Sequence, residues 1–210
     1  MRKDTRKRIE ETGLIPVVVI DDVADAVPVA NALKAGGLHV MEIALRTEAG
    51  LDSIEAVAKE VPEILIGAGT VLSLDKAIEA MERGARYIVS PGFDVSIVTW
   101  CLDHSIAVFP GCVTPTEITA AIGMGLDVVK FFPANLYGGT EAIKELSGPF
   151  PNVKFIPTGG IDLSNLKDFL VPQVFAVGGG WLCPRKDILE KNFDNITAAC
   201  VKSLDIVKAG

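Results

Sequence analysis

The chain is poor in the side chains that build metal sites and histidine-dependent nucleophiles. Its 210 residues include only two histidines, and its four cysteines show no CxxC or other metal-ligand spacing. Two isolated histidines argue against both a metal site and a Ser-His nucleophile pair. We therefore expect chemistry that uses neither a metal nor histidine.

Long apolar runs and an excess of basic residues are also missing. No run approaches the roughly 18 consecutive apolar residues of a membrane span, and the basic N-terminal segment lacks the apolar core of an export signal. The net charge of −7 argues against non-specific binding of nucleic acid. We expect a cytoplasmic protein with free thiols that contacts neither a membrane nor nucleic acid.

What is present is an apolar-rich chain in which short strand-like runs alternate with helix-like segments and no linker intervenes. The eight predicted strands span residues 15–20, 39–44, 64–68, 87–90, 106–109, 128–132, 154–157 and 174–177. Helical spacing is clear at residues 51–61, and Asp22, Thr114 and Thr140 are expected to be N-caps. Pro28 falls inside the first helical pattern and is expected to kink it.

Eight strand–helix units predict a (β/α)8 TIM barrel with a short extra N-terminal helix, as a single domain over residues 1–210. The alternative is an open doubly wound sheet, which usually carries a glycine-rich phosphate turn after its first strand. Asp21 and Asp22 follow the first strand here without a glycine, which favours the barrel. Barrel enzymes hold their reacting groups at the C-terminal ends of the strands, so the polar residues there are the candidates.

Lys130 is the most informative of these polar residues, because it lies in an apolar run, 127–133, that is typical of a buried strand. An unpaired buried ammonium is costly, and burial lowers a lysine's pKa and frees its amine to attack a carbonyl. This predicts a Schiff-base lysine. The alternative is a lysine at a strand end whose ammonium reaches solvent or pairs with a carboxylate.

The second strand adds an acid and an anion receptor. Strand side chains alternate, so Glu42, Ala44 and Arg46 share one face, and both charges reach the site if that face points inward. The alternative for Glu42 and Arg46 is a simple internal ion pair. The same alternation pairs Ala68 with Thr70 on the third strand, with glycines beside them.

Two glycine clusters suggest a phosphate site. Residues 157–160 (Pro-Thr-Gly-Gly) and 178–180 (Gly-Gly-Gly) each follow a predicted strand, the seventh and the eighth. The loops after these strands commonly bind phosphate in barrels, through backbone N–H groups that glycine lets the anion approach. The alternative is that the glycines only make tight turns.

Seven motifs run in one order over nearly the whole chain: 42–48 (EIALRTE), 67–72 (GAGTVL), 89–92 (VSPG), 130–134 (KFFPA), 148–150 (GPF), 157–161 (PTGGI) and 178–181 (GGGW). With them the chain resembles the class I aldolases for 2-keto-3-deoxy-6-phosphogluconate (KDPG), which often also act on 4-hydroxy-2-oxoglutarate (KHG). The resemblance implies a lyase with a TIM-barrel fold that needs no metal or other cofactor and is usually a homotrimer.

The resemblance also implies roles for individual residues. Lys130 would form the Schiff base with pyruvate, Glu42 would shuttle protons, and Arg46 would bind the pyruvate carboxylate beside Thr70. The other implied substrate-binding residues are Pro91, Phe132, Thr158, Gly159, Gly160, Gly179 and Gly180. The family often has serine in place of Gly180, so this chain offers the phosphate only backbone donors there.

The implied reactions split KDPG into pyruvate and glyceraldehyde 3-phosphate, and KHG into pyruvate and glyoxylate. Cleavage beside a ketone needs an electron sink, and an iminium formed by an amine supplies one without a metal. Two alternatives stay open on the sequence. One is another phosphate-binding barrel enzyme without an obligatory imine, and the other is a non-enzymatic phosphosugar-binding barrel.

Overall fold

The computed structural model describes residues 2–209, in which parallel strands alternate with helices as the sequence predicts. The strands are β1 Leu14–Val18, β2 Val40–Ala44, β3 Leu65–Gly69, β4 Tyr87–Val89, β5 Ala107–Phe109, β6 Val128–Phe131, β7 Lys154–Pro157 and β8 Val177–Gly179. The α-helices are α1 Arg2–Thr12, α2 Ala26–Ala35, α3 Gly50–Glu60, α4 Leu74–Glu82, α5 Val95–Asp103, α6 Pro115–Gly123, α7 Gly139–Ser147, α8 Arg185–Leu189 and α9 Phe193–Ala209. Single 3-10 turns lie at Val23–Asp25, Asn135–Tyr137, Leu166–Phe169 and Gly180–Leu182.

Local signals explain where several helices begin. The Thr114 hydroxyl accepts a hydrogen bond from the Glu117 amide, and the Glu117 carboxylate accepts one from the Thr114 amide at 2.8 Å. With proline at its first position, α6 has the capping box that its sequence predicts. Asp22 also caps as predicted, since its side chain accepts from the Ala24 amide at the start of a 3-10 turn.

Two local predictions are wrong. Thr140 is not an N-cap, because α7 begins at Gly139, after a left-handed Gly138 (φ +93°) that ends the preceding 3-10 turn. The eighth strand spans Val177–Gly179 rather than 174–177, so two glycines that the sequence places after the strand are inside it. The kink predicted at Pro28 has no hydrogen-bonding cause, because Pro28 is the third residue of α2 and its missing N–H removes no intrahelical hydrogen bond.

The strands form two parallel sheets. Six of them pair in the order β5-β4-β3-β2-β1-β8, and β6 pairs with β7. Isolated parallel bridges link the two sheets at both edges: Gly111, after β5, with Lys130 of β6, and Thr158, after β7, with Gly178 of β8. Because all the pairings are parallel, the C-terminal ends of the strands lie together.

The buried apolar residues form two clusters. The larger one fills the space between strands and helices. The smaller one, called the inner cluster below, takes side chains from seven strands, from α1 and from the segment before β8: Ile9, Ile15, Val40, Leu65, Tyr87, Val89, Ala107, Phe109, Val128, Ile156, Phe175 and Ala176. Successive strand residues therefore alternate between the helix side and the inner side.

Helix α1 covers the N-terminal ends of the strands. Arg6 donates two hydrogen bonds to Asp127, just before β6, and Arg8 donates to the backbone oxygen of Glu63, just before β3. Ile9 packs into the inner cluster from the same helix. Helix α1 therefore closes the N-terminal ends of the strands. Within residues 2–209, no helix is both long and apolar enough to cross a membrane.

Candidate active site

Lys130 and Glu42 meet on the inner side of the strands. Each lies two residues beyond a member of the inner cluster, Val128 on β6 and Val40 on β2, so both side chains point inward, toward the C-terminal ends. The Lys130 Nζ lies 3.6 Å from the Glu42 Oε1, and the two side chains are only 5% and 3% exposed. The structure thus brings the predicted amine and the predicted acid together.

The pairing with Lys130 leaves the hydrogen-bonding capacity of the Glu42 carboxylate unsatisfied. Among the described residues, its Oε1 is one of two buried side-chain oxygens without a hydrogen-bond partner, because 3.6 Å is too long for a hydrogen bond. A buried ion pair needs further hydrogen bonds to offset desolvation, and this one lacks them. The arrangement suits a group that exchanges protons with a bound molecule better than a purely structural pair.

Two glycines on β3 make room for large inward side chains on its neighbours. A Cβ on Gly69 would lie 2.0 Å from the Glu42 Oε1, and one on Gly67 would lie 2.3 Å from the ring of Tyr87. The Tyr87 hydroxyl donates to the backbone oxygen of Met41 at 2.9 Å. Burial, with a smaller effect of the Glu42 charge, raises the pKa of Tyr87 well above its usual value, so this phenol stays protonated.

Arg46 and Thr70 lie at the ends of β2 and β3 and contact each other. The Arg46 Nε donates to the Thr70 hydroxyl at 3.3 Å. The predicted pairing of Thr70 with Ala68 is wrong, because Ala68 packs in the helix-side core and Thr70 has a left-handed backbone (φ +56°) that ends the strand alternation. The ion-pair partner of Glu42 is Lys130, which disfavours the simple Glu42–Arg46 pair.

A cavity of about 270 Å³ opens at this end of the strands. Seven of the predicted substrate-binding residues line it: Arg46, Phe132, Thr158, Gly159, Gly160, Gly179 and Gly180. The Lys130 Nζ lies 5.3 Å from the centre of the Phe132 ring, which connects the amine to the cavity wall. The charged side chains in the lining are two arginines, Arg46 and Arg185, and the lining has no carboxylate.

Backbone conformation and close packing also explain why several residues of the cavity lining are glycines. Gly159 and Gly160 have positive φ values of 97° and 74°, and a Cβ on Gly160 would lie 2.4 Å from the Asn135 Cβ. A Cβ on Gly179 would lie 1.9 Å from the Trp181 ring. Tight turns therefore explain part of the pattern. Gly180 differs, because the nearest atom to a Cβ there is 3.7 Å away.

Four of the predicted site residues lie outside this lining: Lys130, Glu42, Thr70 and Pro91. Thr70 lines an adjacent hollow with Thr47 and Lys76. Pro91 packs against the backbone of Gly111: a Cβ on Gly111 would lie 2.0 Å from the Pro91 oxygen, and Gly111 bridges to the backbone of Lys130. Pro91 thus supports the Lys130 strand rather than lining the cavity.

Arg185 is a cavity residue that the sequence does not predict. It begins α8, after β8, and its Nε and one terminal nitrogen donate to the Asp21 carboxylate at 2.7 and 2.6 Å. This hydrogen-bonded arginine holds the pKa of Asp21 below its usual range. The signal that could have found the pair is position alone, because Asp21 follows β1 just as Arg185 follows β8.

Other nucleophiles and metal ligands are not assembled at the site. Within residues 2–209, no three His, Cys, Asp or Glu side chains cluster closely enough to hold a metal. Cys183 borders the cavity, but burial raises its thiol pKa far above the usual value. Burial also raises the pKa of Cys112 to about 12, so neither thiol is a ready thiolate.

Comparison with known proteins places this chain in a family. The family model described as KDPG and KHG aldolase matches residues 5–199. A 2-dehydro-3-deoxy-phosphogluconate aldolase from Treponema pallidum is 43% identical over 95% of each chain. A crystal structure of the KDPG aldolase from Legionella pneumophila, with pyruvate captured as a covalent carbinolamine, is 38% identical with a TM-score of 0.91, over 94% of this chain and 96% of that one. The Zymomonas mobilis enzyme solved with 3-phosphoglycerate is 36% identical with a TM-score of 0.88, over 97% and 96%.

Proposed function

The chain belongs to the family of KDPG and KHG aldolases, and from this premise we propose that Lys130 is the amine through which it cleaves its substrates. It is a class I aldolase that splits KDPG into pyruvate and glyceraldehyde 3-phosphate, and KHG into pyruvate and glyoxylate. The observation that carries the assignment of Lys130 is its burial within 3.6 Å of a carboxylate oxygen that has no hydrogen-bond partner. The covalent pyruvate in the Legionella structure supports the same chemistry.

The chemistry follows from these two groups. The neutral Lys130 amine adds to the C2 carbonyl, and the carbinolamine loses water to give an iminium. Glu42 takes the proton of the C4 hydroxyl, the C3–C4 bond breaks, and its electrons flow into the iminium to give an enamine and the free aldehyde. Protonation at C3 and hydrolysis then release pyruvate and restore the amine.

The remaining residues orient the substrate. Arg46 binds the 2-keto carboxylate, for which a guanidinium offers two parallel N–H groups, and Thr70 holds Arg46 by its hydroxyl. Phe132 forms the part of the cavity wall that lies beside the amine, and Pro91 backs the Lys130 strand. The glycine-rich side of the cavity, with Thr158, Gly159, Gly160, Gly179 and Gly180, takes the phosphate end.

We also propose that the whole chain is one (β/α)8 barrel domain. Bridges at both edges of the two sheets support a closed ring of eight strands. The inner cluster supports it too, because seven strands contribute side chains to one interior. The seventh unit is the least regular, since a 3-10 turn, Leu166–Phe169, replaces its helix.

A homotrimer in the cytoplasm is the proposed state of the protein. Large apolar side chains lie exposed after three strands at the catalytic end, Leu72, Val95 and Leu136, the last 83% exposed, and association between copies would bury them. All four cysteines are unpaired, which fits a reducing compartment. Light scattering at several protein concentrations tests the trimer, and a monomeric mass would reject it.

Kinetics of pyruvate release test the catalytic assignment. Lys130→Ala should abolish release from both substrates. The matched control is Lys154→Ala, which removes a half-exposed lysine paired with Glu10 at the opposite end of the strands and should leave turnover near normal. Turnover by Lys130→Ala close to that of the control would overturn the proposal.

Glu42 and the absence of a metal are tested separately. Glu42→Gln keeps the size of the side chain and removes its basicity, so cleavage should fall by about a hundredfold or more.

Chelator treatment should leave activity intact, because the amine supplies the electron sink. A chelator-sensitive activity restored by a divalent metal would reject this mechanism.

Inactivation by borohydride only in the presence of pyruvate separates an imine enzyme from other phosphate-binding barrels.

A further inference from the structure

The cavity carries one more cation than the proposed mechanism uses. Arg46 accounts for the 2-keto carboxylate, which leaves Arg185 as the other charged side chain of the lining. The lining has two guanidinium groups and no carboxylate, and the Asp21 carboxylate that pairs with Arg185 lies outside it, in a chain whose net charge is −7. Such a cavity suits a molecule with an anionic group at each end.

We propose that Arg185 is a substrate-binding residue that recognises the phosphate of KDPG, with Asp21 as its positioning residue. This inference rests on the proposed function, because it needs KDPG as the substrate. Arg185 lines the same cavity as Gly159, Gly160 and Gly180, the glycines assigned to the phosphate. It thereby supplies a charged donor where Gly180 supplies no hydroxyl.

The geometry of the ion pair leaves Arg185 able to bind an anion. Asp21 accepts from the Nε and one terminal nitrogen, along a single edge of the guanidinium. The other terminal nitrogen and the second hydrogen of the bonded one stay available for phosphate oxygens. A carboxylate that holds one edge fixes the plane of the guanidinium, which reduces the entropy lost when a substrate binds.

A purely structural salt bridge is the competing explanation. The Arg185 side chain is 58% exposed, and exposed ion pairs contribute little to stability. The two explanations predict different effects of removing the Arg185 side chain. If the pair is structural, the free energy of unfolding falls. If Arg185 binds phosphate, the preference for the phosphorylated substrate falls.

The test compares KDPG with 2-keto-3-deoxygluconate, which is the same molecule without the phosphate. In Arg185→Ala, the ratio of kcat/KM for KDPG to that for 2-keto-3-deoxygluconate should fall about tenfold, mainly through the KM for KDPG. Arg185→Lys should recover part of the ratio, because it restores charge but not the two-point contact with Asp21. The control is Lys186→Ala, which removes the neighbouring cation outside the cavity lining and should keep the wild-type ratio.

Asp21 and Gly180 extend the test. Asp21→Ala should raise the KM for KDPG by less than Arg185→Ala does and leave kcat near wild type, as expected of a residue that acts through another. Adding Gly180→Ser to Arg185→Ala should return part of the lost ratio, because a Cβ at position 180 meets no atom closer than 3.7 Å.

A wild-type ratio in Arg185→Ala would overturn the proposal, whether or not the variant unfolds more easily. Borohydride inactivation of the wild-type protein with pyruvate involves no phosphate. If that inactivation fails, the proposed function fails; if it succeeds and the ratio in Arg185→Ala is unchanged, only the role of Arg185 is rejected.

Discussion

A single methyl group on β3 should disable the site. Gly69 pairs with Ala44 in the sheet, and its missing side chain leaves the space that the Glu42 side chain occupies. In Gly69→Ala the new Cβ would lie 2.0 Å from the Glu42 Oε1 and 2.6 Å from both its Cγ and its Cδ. The whole end of the side chain must therefore move, and Glu42 is too deeply buried to turn into solvent.

The size of the movement follows from the contact distances. Ordinary contact with a Cβ begins at 3.4 Å, so the carboxylate oxygen must retreat by about 1.4 Å. A misplacement of about 1 Å can cost roughly a hundredfold in rate, and we expect at least that loss in carbon–carbon cleavage. Forcing a methyl group into this packed interior should also lower the free energy of unfolding by about 1–3 kcal/mol.

Steady-state pyruvate release and urea unfolding measure the two effects. Gly123→Ala is the matched control, because its Cβ on α6 meets nothing within 4 Å. It should keep wild-type turnover and raise the free energy of unfolding by up to about 1 kcal/mol, since alanine favours helix over glycine. Near-normal turnover in a folded Gly69→Ala protein would show that the placement of Glu42 does not limit the reaction.

Three further outcomes follow from other parts of the structure. Gly180→Ser in the wild-type background should lower the KM for KDPG about fivefold through one added hydrogen bond to the phosphate. If the KM for KDPG does not fall relative to the KM for 2-keto-3-deoxygluconate, this expectation is contradicted. A thiol reagent at pH 8 should modify no cysteine until denaturant is added, because all four are buried and the pKa of Cys112 is raised to about 12; fast modification of the native protein would contradict their burial. Asp127→Asn should reduce the free energy of unfolding at pH 7 by about 1 kcal/mol or less, since solvent screens this partly exposed pair with Arg6. Arg6 holds the pKa of Asp127 below its ordinary 3.8, so the contribution is present above that value and lost as the pH falls through the lowered one; a difference from wild type that persists at low pH would contradict the pairing.

The sequence predicts most of the secondary structure because strand and helix leave different periodicities in the apolar residues. The eighth strand is the exception. Two of its three residues are glycines, which have low strand propensity and are present because Thr158 and Trp181 pack closely against them. The strand signal of that segment therefore falls earlier, at 174–177, where the structure has one isolated bridge, from Val174 to Phe155.

Predictability at the site depends on how regular the backbone is. Glu42 and Lys130 lie within strands, so alternation alone places them on the inner side. Alternation fails for Thr70, because its positive φ changes the direction of the chain there. No residue pattern in the sequence indicates that positive φ. Arg185 was missed because its position depends on Asp21, 164 residues away in the chain, and not on its own neighbours.

The most direct measurement is to identify the lysine that carries pyruvate. Pyruvate and borohydride are added to the wild-type protein, and the digested protein is mapped by mass spectrometry. A reduced pyruvate adduct on Lys130, absent from a sample that received borohydride without pyruvate, is expected. An adduct on a different lysine, or none in a preparation that turns over KDPG, would contradict the assignment of the buried amine.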